Sequence, residues 1–246
     1  MLYPFILTSI AGLSTLLGTI PIFFKIKNEN KLIASACAFA SGVMLSISLL
    51  DLIPESLKYL NFKGIYTILI VIIFITIGII FSFLIDKSVD KINNNNLYKV
   101  GILSMIVIIF HNIPEGIITF IVSNKNIILG LSICISIAIH NIPEGISIAI
   151  PIYYSTKSKI KAIIYTLVSS LSEIFGAIIT YLFLSKYINN TIIGIILDIT
   201  AGIMIQISIN KLLPTGNNYN KKQTTIFFII GFIFMIFNLL LNNLIS

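Results

Sequence analysis

Eight stretches of roughly 20 or more predominantly apolar residues follow one another along this chain, each long enough to cross a bilayer as a helix. They lie at approximately 3–24, 32–57, 64–85, 98–122, 127–152, 160–184, 190–213 and 224–244. What remains is too short for a soluble domain. With 57% hydrophobic and 10% charged residues among 246, the chain reads as an all-α integral membrane protein forming a single transmembrane domain over 1–246. The longest breaks, 86–97 with its run Asn93–Asn96 and 214–223 with Pro214 and Gly216, read as polar loops. The first stretch lacks a basic leader region and a small-residue cleavage pattern, so it is expected to be a retained span. Cys37 and Cys134, both in apolar runs, are expected to be buried reduced thiols.

The net charge of +7 comes from lysines in short connections, which argues for topology and against nucleic acid as a partner. Twelve of the sixteen fall on one side: Lys25, Lys27 and Lys31; Lys87, Lys91 and Lys99; Lys157, Lys159 and Lys161; Lys211, Lys221 and Lys222. Lys58, Lys63, Lys125 and Lys186 fall on the other. The positive-inside bias puts the twelve in the cytoplasm of a multi-pass cell-membrane protein with both termini outside.

Within this frame the chain repeats itself. The hexapeptide His111-Asn112-Ile113-Pro114-Glu115-Gly116 recurs 29 residues later as His140-Asn141-Ile142-Pro143-Glu144-Gly145, and these histidines are the only two. Ser41–Ser48 resembles Ala201–Ser208 at an offset of 160, extending to Pro54 and Pro214. Leu13–Gly18 resembles Leu171–Gly176 at an offset of 158. Span four thus pairs with five, two with seven and one with six, and the members of each pair cross the membrane in opposite directions. This is the pattern of a 3+2+3 inverted repeat, an arrangement associated with transporters, with the hexapeptides at the pseudo-symmetry axis.

Histidine, asparagine and glutamate are expensive in lipid and persist where they face a protein interior or a water-filled path. On a helix, His111 and Glu115 lie four apart on one face, and Asn112 and Glu115 three apart. Glu115 can therefore serve two neighbouring sites, and His140, Asn141 and Glu144 repeat the geometry. Packing spans four and five together gives an imidazole- and carboxylate-rich site beside a carboxylate- and amide-rich one. Such donors suit zinc, iron, manganese, cobalt or nickel, and the lack of thiolates argues against copper(I). Pro114 and Pro143 are expected to kink their helices, and Gly116 and Gly145 to permit close approach. Glu173, among serines in span six, is a further candidate ligand. Met44, Ser48, Asp51 and Glu55 form one helical stripe in span two; Asp51 could lead ions along it, whereas Glu55 fits the interface. Asp198 in span seven either attracts cations into an outer vestibule or sits hydrated.

At these residues the chain resembles the ZIP (Zrt/Irt-like) family of divalent-metal transporters, in particular its prokaryotic GufA/ZupT-like type. The resemblance rests on the H-N-x-P-E-G motif at His111–Gly116, its counterpart at His140–Gly145, the stretch Ser41–Pro54, and Ser172-Glu173 with Gly176-Ala177. It implies a binuclear centre, with His111, Glu115, His140, Glu144 and in addition Met44 around one ion. Asn112, Asn141 and Glu173 would hold the second, sharing Glu115 and Glu144. It also matches Asp51 to an acidic span-two position. The implied activity is uptake of divalent metal into the cytoplasm, zinc first, with iron, manganese, cobalt and cadmium as further cargo and no resident cofactor. Three departures accompany it: the stretch Asp86–Lys99 has no histidine, Ile174 follows Glu173 where relatives often have proline, and Asn210-Lys211 stands where relatives often have an acidic pair.

A membrane-embedded di-metal enzyme is the rival from another class, but the chain has neither an H-E-x-x-H motif nor a Glu-x-x-His pair. A passive metal channel would share every motif. Partners are expected to be the ion and the bilayer; a homodimer is one assembly open to such a bundle.

Overall fold

The computed structural model describes residues 2–60, 64–89, 95–184 and 189–245, and every regular element among them is helical. Helix α1 (Leu2–Ser14) tightens into a 3-10 stretch over Thr15–Phe23. Helix α2 (Glu29–Ile47) passes through a π-helical turn, Ser48–Leu52, into α3 (Ile53–Tyr59). Then come α4 (Ile65–Val89), α5 (Asn96–Lys125), α6 (Ile127–Thr156) and α7 (Lys159–Ile179), the last with a π turn at Thr180–Leu184. Helix α8 (Asn190–Ile207) continues through another π turn, Ser208–Leu212, into α9 (Leu213–Ile245).

Asparagine and serine fix where the helices begin. The side chain of Asn28 accepts from the backbone N–H of Lys31, Asn95 from Leu97 and Tyr98, Ser158 from Lys161, and Asn189 from Ile192. Each satisfies a donor that the first helical turn leaves open. Asn126 does the same for Ile128 and Leu129, and it is also the only residue between α5 and α6. That one-residue turn makes α5 and α6 a tight hairpin. His111 lies 15 residues before the turn and His140 14 residues after it, so both sit at the same depth, about 21–23 Å away at 1.5 Å per residue. The offset of 29 is thus what brings the two motifs level. Both helices run on through Pro114 and Pro143.

Among the described residues, seven segments are long and apolar enough to cross a membrane: Leu2–Phe23, Glu29–Tyr59, Ile65–Val89, Asn96–Lys125, Ile127–Thr156, Lys159–Phe183 and Asn190–Leu241. The last, at 52 residues, departs from the expected two spans joined by a loop at 214–223. Pro214 directly follows the π turn, where the Leu213 N–H reaches back five residues to the Ser208 carbonyl, and the helix carries on past it to Tyr219. It breaks at Asn220 (φ −162°, ψ 99°), whose side chain accepts from the N–H of Gln223 and so caps the remainder.

Glycines govern how closely the helices cross. A Cβ on Gly42 would overlap the carbonyl oxygen of Phe228, and one on Gly202 that of Ile75. Likewise Gly231 abuts the carbonyl of Phe39, and Gly78 that of Ile199. Helices α1, α5, α6 and α7 pack on one another; α2 packs chiefly on α9, and α3 and α4 on α8. Contacts of α2 with α6 and of α5 with α8 join the two groups. The outward faces are apolar, with Ile68, Ile72, Phe83 and Leu84 of α4 exposed.

The lysine-rich ends meet. Lys157 pairs with Glu29 at 2.8 Å, Lys211 with Asp86 at 2.6 Å, and the hydroxyls of Tyr98 and Tyr165 lie 3.0 Å apart. Hydrogen bonding to Glu29 raises the Lys157 pKa above its usual value. Lys63, Lys91, Lys186 and Asn93–Asn94 of the asparagine run lie outside the described residues. Cys37 and Cys134 are free and buried.

Candidate metal centre

The level motifs of α5 and α6 put two imidazoles against two carboxylates inside the helix bundle. His111 Nε2 lies 3.2 Å from Glu115 Oε1, the i,i+4 neighbour, and 3.1 Å from Glu144 Oε1 across the hairpin. His140 Nε2 lies 2.9 Å from the same Glu115 Oε1. The ligand atoms of His111, Glu115 and His140 fall within 4.8 Å of one another, all on buried side chains. Glu115 is therefore the hub, touching the histidine of each motif.

The amides serve a second layer. Asn141 Nδ2 donates to Glu173 Oε2 and to the Ala11 carbonyl oxygen, each at 2.9 Å. Asn112 Nδ2 donates to the Ser169 carbonyl at 3.4 Å. Helix α7 brings Glu173 in because Gly116 and Gly176 leave no side chain between it and α5: a Cβ on Gly116 would overlap the Glu173 carbonyl, and one on Gly176 that of Ile113.

His111, Asn112, Glu115, His140, Asn141, Glu144 and Glu173 are all buried, yet much of their bonding capacity is unused. Glu115 Oε2, Glu144 Oε2, Glu173 Oε1, Asn112 Oδ1 and Asn141 Oδ1 are buried acceptors without a hydrogen-bond partner. Uncompensated buried oxygens, three of them on carboxylates, cost several kcal/mol in total by the ~1–3 kcal/mol typical of each. A divalent cation answers that deficit directly. Imidazole nitrogens and carboxylate oxygens are ordinary zinc donors.

The remaining sequence candidates lie on α2, its π turn, α3 and α8. Met44 is fully buried in the apolar core of α2. Ser48 is buried too, but its hydroxyl donates to the Met44 carbonyl at 2.8 Å. Asp51 sits partly buried in the π turn, while Glu55 pairs with Lys58 at 2.9 Å near the surface. Asp198 is fully buried and accepts from the Ser56 hydroxyl at 2.5 Å. Sequence reasoning missed Ser56, and it missed the carbonyls of Ala11 and Ser169 that orient the asparagines. Carbonyl partners leave no trace in residue identity.

A multi-pass helical membrane protein with a buried nest of histidine, carboxylate and amide donors is the class that fold and centre define. The family described as ZIP Zinc transporter matches residues 90–239. Three similar proteins are called zinc transporter ZupT. That of Clostridium perfringens is 35% identical, over 98% of this chain and 96% of its own length. That of Streptococcus mutans is 38% identical over 96% of both chains, and that of Campylobacter jejuni 34% over 92% and 91%. The chain belongs to the ZIP family.

Proposed function

We propose that this chain is a divalent-metal uptake transporter, with zinc as its principal cargo and iron, manganese, cobalt and cadmium as further substrates. The observation carrying this reading is the buried cluster of His111, Glu115, His140 and Glu144, beside Asn112, Asn141 and Glu173, with its unpartnered oxygens. In this reading one ion takes the two imidazoles and Glu115 and Glu144. A second takes the amide oxygens and Glu173 and shares the carboxylates. Met44 flanks the first site, and Asp51, Ser48 and Asp198 mark the path.

The chain crosses eight times in this reading. Fifty-two helical residues would span about 78 Å, more than twice the ~30 Å hydrocarbon thickness, so Asn190–Leu241 crosses on either side of the Asn220 break. A 3+2+3 inverted repeat is supported by paired contacts: Gly42–Phe228 mirrors Gly202–Ile75, Gly78–Ile199 mirrors Gly231–Phe39, and π turns start at both Ser48 and Ser208. The linked lysine-rich ends face the cytoplasm of the cell membrane, leaving both termini outside. The apolar faces meet acyl chains.

A hydrated cation enters from the outer side, attracted by the buried carboxylates, and trades water for the imidazole, amide and carboxylate donors. The group α1, α5, α6 and α7 then shifts against the other helices, and the ion leaves to the cytoplasm. Family membership argues against the enzyme reading. Zinc flux into proteoliposomes tests the site: alanine at both His111 and His140, or at both Glu115 and Glu144, is expected to abolish uptake. Unchanged flux in either variant overturns the reading. Uptake saturating at low zinc marks a carrier, and a non-saturating conductance marks a channel.

A further inference from the structure

The amide-rich half of the centre has two equivalent seats for a carboxylate, and only one is filled. At the offset of 158 that relates α1 to α7, Thr15 corresponds to Glu173, and their surroundings match contact for contact. The Glu173 carbonyl meets Gly116, and the Thr15 carbonyl meets Gly145, the same glycine of the other motif. Asn112 donates to the Ser169 carbonyl, and Asn141 to that of Ala11, again 158 apart. Ser172 donates to the Ser169 carbonyl at 2.5 Å, and Ser14 to the Ala11 carbonyl at 2.6 Å. The two helices cross where Gly12 faces its own counterpart: a Cβ on Gly12 would lie 2.9 Å from the Ser170 carbonyl oxygen.

The symmetry fails at two neighbouring positions together. The Glu173 side chain lies over Gly12, where a Cβ would sit 3.0 Å from Glu173 Cβ and 3.3 Å from Oε2. The bare glycine gives the carboxylate its room, and from there it reaches Asn141. On the mirror side the glycine is replaced by Ser170 and the glutamate by Thr15. The Thr15 hydroxyl turns back to the Gly12 carbonyl at 2.7 Å, the Ser170 hydroxyl is buried without a partner, and no carboxylate accepts from Asn112 as Glu173 does from Asn141.

We infer that Thr15 and Ser170 hold an unused mirror of the Glu173–Gly12 seat, and that leaving it without a carboxylate sets the charge and release of the second ion. This rests on the proposed two-ion centre. As ion ligands, the buried Glu115, Glu144 and Glu173 would bring three negative charges to the centre. One divalent ion leaves a net negative site that recruits another; two leave a net positive site that lets one go. A fourth carboxylate at position 15 would neutralise both ions and hold them.

The test moves the carboxylate across the axis and reads zinc stoichiometry by titration calorimetry on purified full-length protein, with folding checked by gel filtration and melting. Glu173→Thr is expected to lose the second ion. Adding Thr15→Glu and Ser170→Gly to Glu173→Thr is expected to restore two ions per chain. Thr15→Glu with Ser170→Gly, keeping Glu173, is expected to tighten the second ion about tenfold and slow flux correspondingly, as affinity is gained at the expense of release. Should the triple variant not fold, Thr15→Asp in Glu173→Thr, one methylene shorter and compatible with Ser170, decides instead. A folded carrier of the moved carboxylate that still binds one ion overturns the inference while leaving the two-ion centre intact. Two ions retained in Glu173→Thr alone overturns the inference by removing Glu173 from the second site, and one ion in the wild type overturns the two-ion centre itself.

Discussion

Gly116→Ala places one methyl group where the structure has no room for it. The Cβ would overlap the backbone carbonyl oxygen of Glu173, and backbone cannot rotate aside as a side chain does. Restoring an ordinary C···O contact of about 3.3 Å requires α5 and α7 to part locally by more than about 1 Å. The Glu173 carboxylate rides on the residue that moves, and its 2.9 Å bond to Asn141 is lost once the separation passes about 3.5 Å. Overpacking of this kind costs about 1–3 kcal/mol of stability. Misplacing a reacting group by about 1 Å costs on the order of 100-fold in rate. Zinc uptake in proteoliposomes, followed with an internal zinc-sensitive dye and normalised to folded protein, should therefore fall about 100-fold. A folded Gly116→Ala variant transporting within a factor of about two of wild type would refute the claim that this crossing positions the centre.

Glu115→Gln keeps the shape of the hub but weakens its hold on both histidine-bound ligands; zinc affinity by calorimetry should drop at least about tenfold, the scale of a lost charged contact. Ser56→Ala strips the buried Asp198 carboxylate of its only hydrogen bond among the described residues, and thermal melting should report a loss of about 1–3 kcal/mol. Lys157, at φ 54°, caps α6 in the left-handed region, so Lys157→Gly relieves about 1 kcal/mol of backbone strain. Against that stand the exposed pair with Glu29, about 0.2–1 kcal/mol, and the ammonium over the Tyr154 ring at 4.9 Å, about 0.5–1 kcal/mol, so the melting temperature should not rise. Saturating zinc should raise the melting temperature of wild type, equivalent to about 2.7 kcal/mol at 100 times Kd, and leave the His111→Ala, His140→Ala double variant unmoved.

What could be seen in the sequence was what side-chain chemistry and periodicity express. The i,i+4 pair of His111 and Glu115 is in contact, and Cys37 and Cys134 are buried free thiols within apolar runs. The apolar stretches coincide with long helices, except after Pro214. There the proline reads as a breaker, although the helix runs past it directly after the π turn Ser208–Leu212, and the true break waits for Asn220. Invisible in one dimension were the relations made by backbone. The single-residue turn at Asn126, the π turns beginning at Ser48 and Ser208, and the Ala11 and Ser169 carbonyls that hold Asn141 and Asn112 depend on path, not residue type. The bond from Ser56 to Asp198 joins residues 142 apart, a partnership that neither side chain announces.

Zinc K-edge X-ray absorption of the loaded protein reads the ligands of the bound ion without reference to flux. A centre built on His111 and His140 gives a first shell of nitrogen and oxygen at about 2.0–2.2 Å with imidazole outer-shell features, which disappear in the His111→Ala, His140→Ala double variant. A shell dominated by sulfur at about 2.3 Å, or a spectrum the double variant leaves unchanged, would place the metal elsewhere and contradict the account.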